Sequence, residues 1–149
     1  MRLVSKTNEK GFTLVEALIS LIIVSILSLL SYPFIINLYD YVRLNQALTT
    51  FQADLHYVRD FNMMPLAGEA RMTLQIQHNE DRYVILIGND VYLERRLPNR
   101  VTMPHSNHIT NISFNQNGNL GAGRTLQVVS ENNARSVVFA VGVGGFDVR

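Results

Sequence analysis

Twenty consecutive residues, 17–36, carry no charged side chain, and this run limits the possible folds more than any other feature of the chain. The apolar segment 12–36 would form a helix about 37 Å long at a rise of 1.5 Å per residue. A bilayer core requires about 20 apolar residues. The segment therefore predicts one membrane-spanning helix, and the more polar remainder of the chain predicts a soluble domain.

Charges on either side of this segment indicate its orientation. Arg2, Lys6 and Lys10 precede it, whereas Asp40 and Arg43 follow it. Because cytoplasmic flanks of membrane helices are enriched in Lys and Arg, the N-terminus is predicted to be cytoplasmic. The rest of the chain would then be extracytoplasmic.

The overall charge excludes some function classes. The chain has 13 Lys+Arg and 12 Asp+Glu, and its first eleven residues contain three of those cations and one of those acids. The remainder therefore has ten basic and eleven acidic groups, and it contains no lysine. That balance is unlike the basic surface typical of nucleic-acid-binding proteins. Cysteine is absent, which excludes disulfides, thiolate zinc sites and cysteine catalysis.

Two ordinary interpretations of the apolar segment fit poorly. A secretory signal peptide should have a shorter apolar core that ends at a small-residue cleavage site. This core is long, contains Glu16 and ends in Tyr32-Pro33-Phe34. A plain signal anchor explains the length and orientation but not Glu16, because a carboxylate costs about 2.5–3.5 kcal/mol at the centre of a membrane helix and less near the interface. Such a cost suggests that Glu16 has a partner.

A third interpretation comes from the sequence GFTLVE at residues 11–16, which resembles the processing motif of the type IV pilin and pseudopilin family. The resemblance implies a prepilin whose leader peptide, residues 1–11, is removed by a dedicated membrane peptidase. Cleavage would lie between Gly11 and Phe12, and the same enzyme would methylate the new amino group of Phe12. The implied partners are this prepilin peptidase/N-methyltransferase, other pilins of the filament and membrane assembly machinery.

Cleavage would also give Glu16 a partner. It would convert an amide into an ammonium about one helical turn from Glu16, and two desolvated opposite charges cost much less together than alone. The resemblance implies that Glu16 meets the N-terminal amine of a neighbouring subunit. Glu16 is then an assembly residue that sets subunit register, and not a catalytic acid.

Pro33 is the second predicted assembly residue. Its ring nitrogen cannot donate to the carbonyl of Leu29, so a helix that contains it would loosen or kink. Ser28 and Ser31 lie close enough to satisfy freed backbone groups. Pro33 either ends the membrane helix or lies within a longer one. The resemblance favours the longer helix, with local melting near the proline in the assembled filament.

The sequence after Pro33 predicts an amphipathic helix over residues 37–64. Apolar residues recur there at steps of three and four, and polar residues lie off the stripe. The helix should end near Met64, ahead of Pro65 and Gly68, and pack against a sheet. A coiled-coil partner is a weaker alternative, because the stripe covers barely three heptads. The stripe consists of Leu38, Tyr41, Leu44, Leu48, Phe51, Leu55 and Val58, and the polar set includes Asp40, Arg43, Asn45, Gln46, Gln52, Asp54 and Arg59.

Residues 65–149 predict a head made of antiparallel strands. The first three strands should form a meander, and Asn117-Gly118 is a hairpin-type turn signal. The predicted strands are 71–77, 83–87, 91–94, a short edge strand 101–103, 109–114, 124–130, 136–141 and a last edge strand within 142–149. A helix followed by strands predicts an α+β fold with a pilin-like layout: a long N-terminal helix packed on a small antiparallel sheet.

Residue patterns for catalysis, metals and cofactors are weak, so the chain is predicted not to be an enzyme and to need no cofactor. His105 and His108 are spaced like two metal ligands but lie in a polar segment without a nearby acid or cysteine, which favours a solvated loop. No G-x-S-x-G elbow occurs. The glycines at 118, 121 and 123 fall between predicted strands, whereas a phosphate-binding loop opens a helix.

Five arginines of the head are candidates for weak DNA contact: Arg95, Arg96, Arg100, Arg124 and Arg135. On one face they would neutralise a few phosphates. The net negative mature chain and the lack of interleaved aromatic and basic residues argue against direct nucleic-acid binding. Ion pairs with Glu94 and Asp90, or a solvated arginine face, are the alternative.

The head also resembles a narrower group, the ComGD-type minor pilins of Gram-positive competence systems. The resemblance rests on Phe114, Asn117-Gly118, the glycines at 121 and 123, residues 87–91 and Glu94-Arg95. It implies a minor pilin of a transformation pilus that takes up external DNA and reaches the cell surface once assembled. A minor pseudopilin of a type II secretion or other type IV pilus system, or a DNA- or surface-binding module at a pilus tip, remains an alternative.

Overall fold

A computed structural model of the chain describes residues 12–64, 70–104, 110–140, 142 and 145–149. Spatial contacts divide the chain into two units, Met1–Ile36 and Asn37–Arg149. The first unit contains the predicted membrane segment, and the second, hereafter the head, contains the predicted amphipathic helix together with the strands. The boundary between the units falls at the end of the predicted membrane segment, residues 12–36.

One helix, α1, extends from Leu14 to Met63 and contributes residues to both units. Its end confirms the prediction that the helix stops near Met64. The helix continues through Pro33, as the family resemblance favours. The nearby serines do not cap the carbonyl of Leu29, however: the Ser28 hydroxyl donates to the Val24 carbonyl and the Ser31 hydroxyl to the Leu27 carbonyl, each at 2.8 Å.

The described residues of the head form two antiparallel sheets, where the sequence predicted one. The first has the order β3-β2-β1-β4 and the second the order β5-β6-β7. The predicted three-strand meander is confirmed as β1, β2 and β3. The strands are β1 (Met72–Gln77), β2 (Arg82–Ile87), β3 (Asp90–Arg96), β4 (Asn111–Ile112), β5 (Arg124–Val129), β6 (Ala134–Phe139) and β7 (Phe146–Val148).

An isolated bridge joins the segment between β3 and β4 to the second sheet. Thr102 and Val129 form an isolated antiparallel bridge, with backbone N–H···O distances of 2.8 and 2.9 Å. The predicted edge strand 101–103 is therefore reduced to this bridge. Pro98 and Pro104 explain its shortness, because proline has no N–H to extend a ladder. The strand predicted at 109–114 is likewise shorter, and Ile109 lies outside the described residues.

The core of the head lies between α1 and the sheets. Phe51, Leu74, Ile85 and Leu126 are fully buried in one apolar cluster. Five of the seven predicted stripe residues of α1 are buried, whereas Leu38 and Tyr41 are exposed, so their assignment to the core was wrong.

Three polar side chains of α1 are also buried: Asp40, Asp54 and Asn62. The sequence placed the two aspartates outside the stripe, and this too was wrong. Each is tolerated in the interior because it has hydrogen-bond partners. The amide of Asn62, for example, accepts from the backbone N–H of Met72 and donates to the carbonyls of Met72 and Phe114.

Candidate processing and assembly site

The first turn of α1 is organised around Thr13 and Glu16. The backbone N–H of Glu16 donates to the Thr13 hydroxyl oxygen at 3.3 Å, and the N–H of Ala17 donates to the Thr13 carbonyl at 3.2 Å. Thr13 is therefore the residue that caps the helix, and Glu16 is the third helical residue. Threonine followed three positions later by glutamate is the spacing of a capping box. The sequence interpretation missed this local role, although the spacing itself was visible.

The position of Glu16 also suits its charge. Glu16 is the acidic residue of the first helical turn, where the helix dipole favours a carboxylate. No described residue forms an ion pair with it. Phe12, the predicted new N-terminus, is 82% exposed, and the neighbouring apolar side chains are exposed to a smaller degree. Gly11 and the leader lie outside the described residues, so cleavage between Gly11 and Phe12 stays a prediction.

The surface of α1 beyond Glu16 suits lipid or other apolar helices. Every described side chain from Phe12 to Ile35 is exposed. An 18-residue window of α1 has a mean hydropathy of 2.5, and none of that window is buried. Ser20 and Ser25, like Ser28 and Ser31, donate to the carbonyl four residues back, so each of these four serine hydroxyls has an acceptor within the helix. By length and composition this helix fits a membrane-anchored, single-pass protein.

Three of the five candidate DNA-contacting arginines already have acidic partners. Arg95 Nε lies 3.2 Å from Asp54 Oδ2, and Arg100 Nη1 lies 3.0 Å from Glu131 Oε2. Arg96 Nε is 3.6 Å from Glu94 Oε1. The partner of Arg95 differs from the predicted Glu94 or Asp90, because Asp54 is buried on the helix face opposite the strand.

The other two arginines are far from each other. In the register of β5 and β6, Arg124 lies opposite Phe139 and Arg135 lies opposite Val128. The two arginines are thus four residues apart along the ladder, about 13 Å. Arg95 and Arg96 belong to the other sheet. The fold does not gather the five guanidiniums into one cluster, and DNA contact by them stays a prediction.

Arg82 forms ion pairs with two acidic residues, one in the turn before β2 and one on β3. It contacts Glu80, and its Nη1 lies 2.8 Å from Glu94 Oε1. The hydrogen bond from Arg82 is the main reason why the pKa of Glu94 is lowered from its ordinary value. The same bond raises the pKa of Arg82.

A second polar cluster is formed by one residue each of α1, β2 and β3. The Tyr83 hydroxyl donates to Asp54 Oδ2 at 2.7 Å, the same oxygen that Arg95 contacts. Burial, followed by this hydrogen bond to Asp54, raises the pKa of Tyr83 well above its ordinary value of 10.0. Tyr83 therefore remains a hydrogen-bond donor to the buried carboxylate at all physiological pH values.

Metal chemistry has little support in the described part of the chain. Residues 12–64, 70–104, 110–140, 142 and 145–149 contain no group of three or more His, Asp or Glu side chains that could hold a metal ion. His105 and His108, the two residues considered from sequence, lie outside those ranges. His78 is used structurally, with its Nδ1 2.7 Å from the carbonyl oxygen of Met103.

Comparison with known proteins gives one result, which falls on the N-terminal site. Residues 6–32 match the family described as the prokaryotic N-terminal methylation motif. The match contains Gly11, Phe12, Thr13 and Glu16, and it supports a type IV pilin-like or prepilin-like chain with a structural role. Neither the curated proteins nor the solved structures gave a significant match.

Proposed function

We propose that this chain is a minor pilin, or pseudopilin, subunit of a type IV pilus-like filament and that it is made as a prepilin. One observation carries the proposal: the methylation motif lies at the start of a helix whose described side chains are all exposed from Phe12 to Ile35. Leader removal at Gly11-Phe12 and N-methylation of Phe12 then produce the mature subunit. The head faces the extracytoplasmic side, in agreement with the positive charges before the helix.

Assembly into a filament explains features of the helix that a role as a simple membrane anchor does not explain. Glu16 has no cationic partner among the described residues, although a lone carboxylate in a membrane is costly. The N-terminal ammonium of a neighbouring subunit supplies that partner. In a filament, the exposed apolar side chains of residues 14–35 are covered by the same helix of other subunits. Pro33 permits local loosening of the helix during this packing.

The test separates the charge of Glu16 from its role in the helix cap. Glu16→Ala should leave the protein in the membrane fraction at normal levels but reduce its recovery in sheared surface filaments about tenfold or more, because its buried amine partner loses its counter-charge. The matched control is Thr13→Val, which removes the capping hydroxyl and retains the carboxylate. This control should cost only about 1 kcal/mol of helix stability and should assemble nearly normally.

Normal recovery of Glu16→Ala in filaments would contradict the proposal. Equal loss in Thr13→Val and Glu16→Ala would show that Glu16 acts through the helix start alone. In the same cells, substitution of Gly11 by a bulky residue should block leader removal, which a mass shift of the mature chain detects. These measurements follow processing and assembly separately.

We also propose that the filament is a competence pilus that takes part in DNA uptake at the cell surface. The support is the resemblance of the head to ComGD-type minor pilins at Phe114, Asn117-Gly118 and Glu94-Arg95. Deletion of the gene should abolish transformation by external DNA and leave protein secretion unchanged. Loss of secretion with normal transformation would instead assign the chain to a type II secretion system. Salt-sensitive DNA retention by the full chain would favour a DNA-binding module at the pilus tip.

A further inference from the structure

The head has a surface cavity between α1 and the edge strand β3 that the proposed assembly role does not use. It has a volume of about 520 Å³ and is lined by Ala53, Asp54 and Tyr57 of the helix and by Tyr92, Leu93 and Arg95 of the strand. This volume is within the range of small-molecule sites, roughly 300–1,000 Å³.

An irregularity in β3 produces the wall of this cavity. Leu93 pairs with Ile85 and Val91 pairs with Leu86, so Tyr92 is an extra residue without a partner on β2. Such a bulge redirects side chains, and bulges are frequent beside functional sites. Leu93 packs against the core, and the bulge places Tyr92 on the same side of the strand, toward α1.

Tyr57 and Tyr92 therefore form an aromatic surface that is exposed to solvent. The rings of Tyr57 and Tyr92 are stacked, with centroids 5.9 Å apart and planes 18° from parallel. The Tyr57 hydroxyl donates to that of Tyr92 at 3.0 Å. Tyr57 is nevertheless 43% exposed, Tyr92 54% and the adjacent Val91 61%. Two fixed rings that remain exposed offer a flat apolar face to a ligand.

The polar groups beside the rings restrict the charge of that ligand. Asp54 and Arg95 form an ion pair, so the cavity has no net charge from its lining. Because the two charges largely cancel, the lining favours neither an anionic nor a cationic ligand. Hydrogen-bonding capacity remains, because within the described part of the chain the two terminal nitrogens of Arg95 contact no acceptor. Oδ1 of Asp54 likewise has no partner among the described residues.

We infer that this cavity binds a neutral saccharide. A pyranose has one apolar face of C–H groups that stacks on tyrosine, and hydroxyl groups that both donate and accept hydrogen bonds. The free N–H groups of Arg95 match hydroxyl oxygens, and Asp54 Oδ1 matches a hydroxyl donor. Glycan binding at this site is independent of Glu16 and of assembly, so either proposal can fail without the other.

The test uses the full-length protein in a zwitterionic detergent without a sugar head group. Three neutral probes, cellotriose, triacetylchitotriose and maltotriose, are titrated by calorimetry and by saturation-transfer NMR. At least one should bind saturably, with the transfer concentrated on ring C–H protons. Tyr92→Ala should weaken that binding about tenfold, which is the effect of losing one aromatic contact. Ala53→Leu should abolish it by filling the cavity, without removing a hydrogen bond.

The matched control is Tyr41→Ala, since Tyr41 is an exposed tyrosine of the same helix outside the cavity. This variant should bind as the unaltered protein does, and near-ultraviolet circular dichroism should show that all three variants remain folded. Absence of saturable binding by every probe would overturn the inference. Equal binding by Tyr92→Ala and the unaltered protein would also do so. Preferential, salt-sensitive binding of an oligothymidine would assign the cavity to single-stranded nucleic acid instead.

Discussion

In the N-terminal unit every described side chain before Ile36 is exposed, whereas in the head the same apolar residue types form a buried cluster. Phe34 is 71% exposed and Phe51 is 0% exposed, although both belong to α1. The apolar side chains of the first unit require lipid or other subunits, and those of the head are covered by its own strands. The first part of α1 therefore presents an apolar surface to lipid or other subunits. The later part of α1 packs its apolar side chains within its own chain.

The comparison also separates two kinds of polar residue on α1. Glu16 is exposed at the helix start and has no described ionic partner. Asp54 is buried and has two partners from the sheet, Tyr83 and Arg95. The absence of an ionic partner for Glu16 among the described residues agrees with the proposed pairing with a neighbouring subunit. Asp54, whose Oδ2 accepts from both Tyr83 and Arg95, has a role in the fold of the head.

The largest expected effect is on the core of the head. Phe51→Ala should reduce the free energy of unfolding of the head by about 3–5 kcal/mol, because it leaves a cavity and removes an edge-to-face contact with Tyr83. Phe34→Ala is the matched change in the N-terminal unit and should leave that free energy unchanged. Urea unfolding in detergent, followed by near-ultraviolet circular dichroism, measures both. Similar losses for the two variants would show that Phe34 and Phe51 contribute alike to the stability of the head.

An intermediate effect is expected at Asp54. Asp54→Ala should cost about 2–3 kcal/mol of unfolding free energy, because the buried Tyr83 hydroxyl loses its acceptor and Arg95 loses its counter-charge. Asp60→Ala, at an exposed position on the same helix, should change it by less than about 0.5 kcal/mol. The same urea titration compares the two variants. A small effect at Asp54 would mean that its burial contributes little to the head.

The smallest effect is a pH dependence at Glu94. Because the folded-state pKa of Glu94 is lowered from 4.5 by Arg82, the ion pair contributes stability above pH 4.5. That contribution should be lost as the pH falls from about 4.5 through the lowered folded-state pKa. Glu94→Gln should therefore unfold with a weaker dependence on pH in this range. Identical pH profiles of the urea midpoint for the two proteins would contradict the assigned pKa direction.

Local signals predicted much of the head correctly. Alternation in residues 72–77 identified β1, and the steps of three and four residues identified the buried Leu44, Leu48, Phe51, Leu55 and Val58. The errors occurred where the neighbouring element decides exposure. Leu38 and Tyr41 continue the stripe in sequence, but the sheets do not cover them. Asp54 interrupts it in sequence, yet Tyr83 and Arg95 arrive from strands nearly thirty and more than forty residues away.

The charge-free span, the methylation motif and the position of Glu16 can be identified from the sequence, because each depends on residues that are close together along the chain. Only the tertiary structure decided the two-sheet division of the head, the partner of Arg95 and the cavity beside Tyr92. These features depend on which strand edges meet and on a bulge in one edge strand. They arise from long-range contacts between elements, and residue periodicity within each element does not specify those contacts.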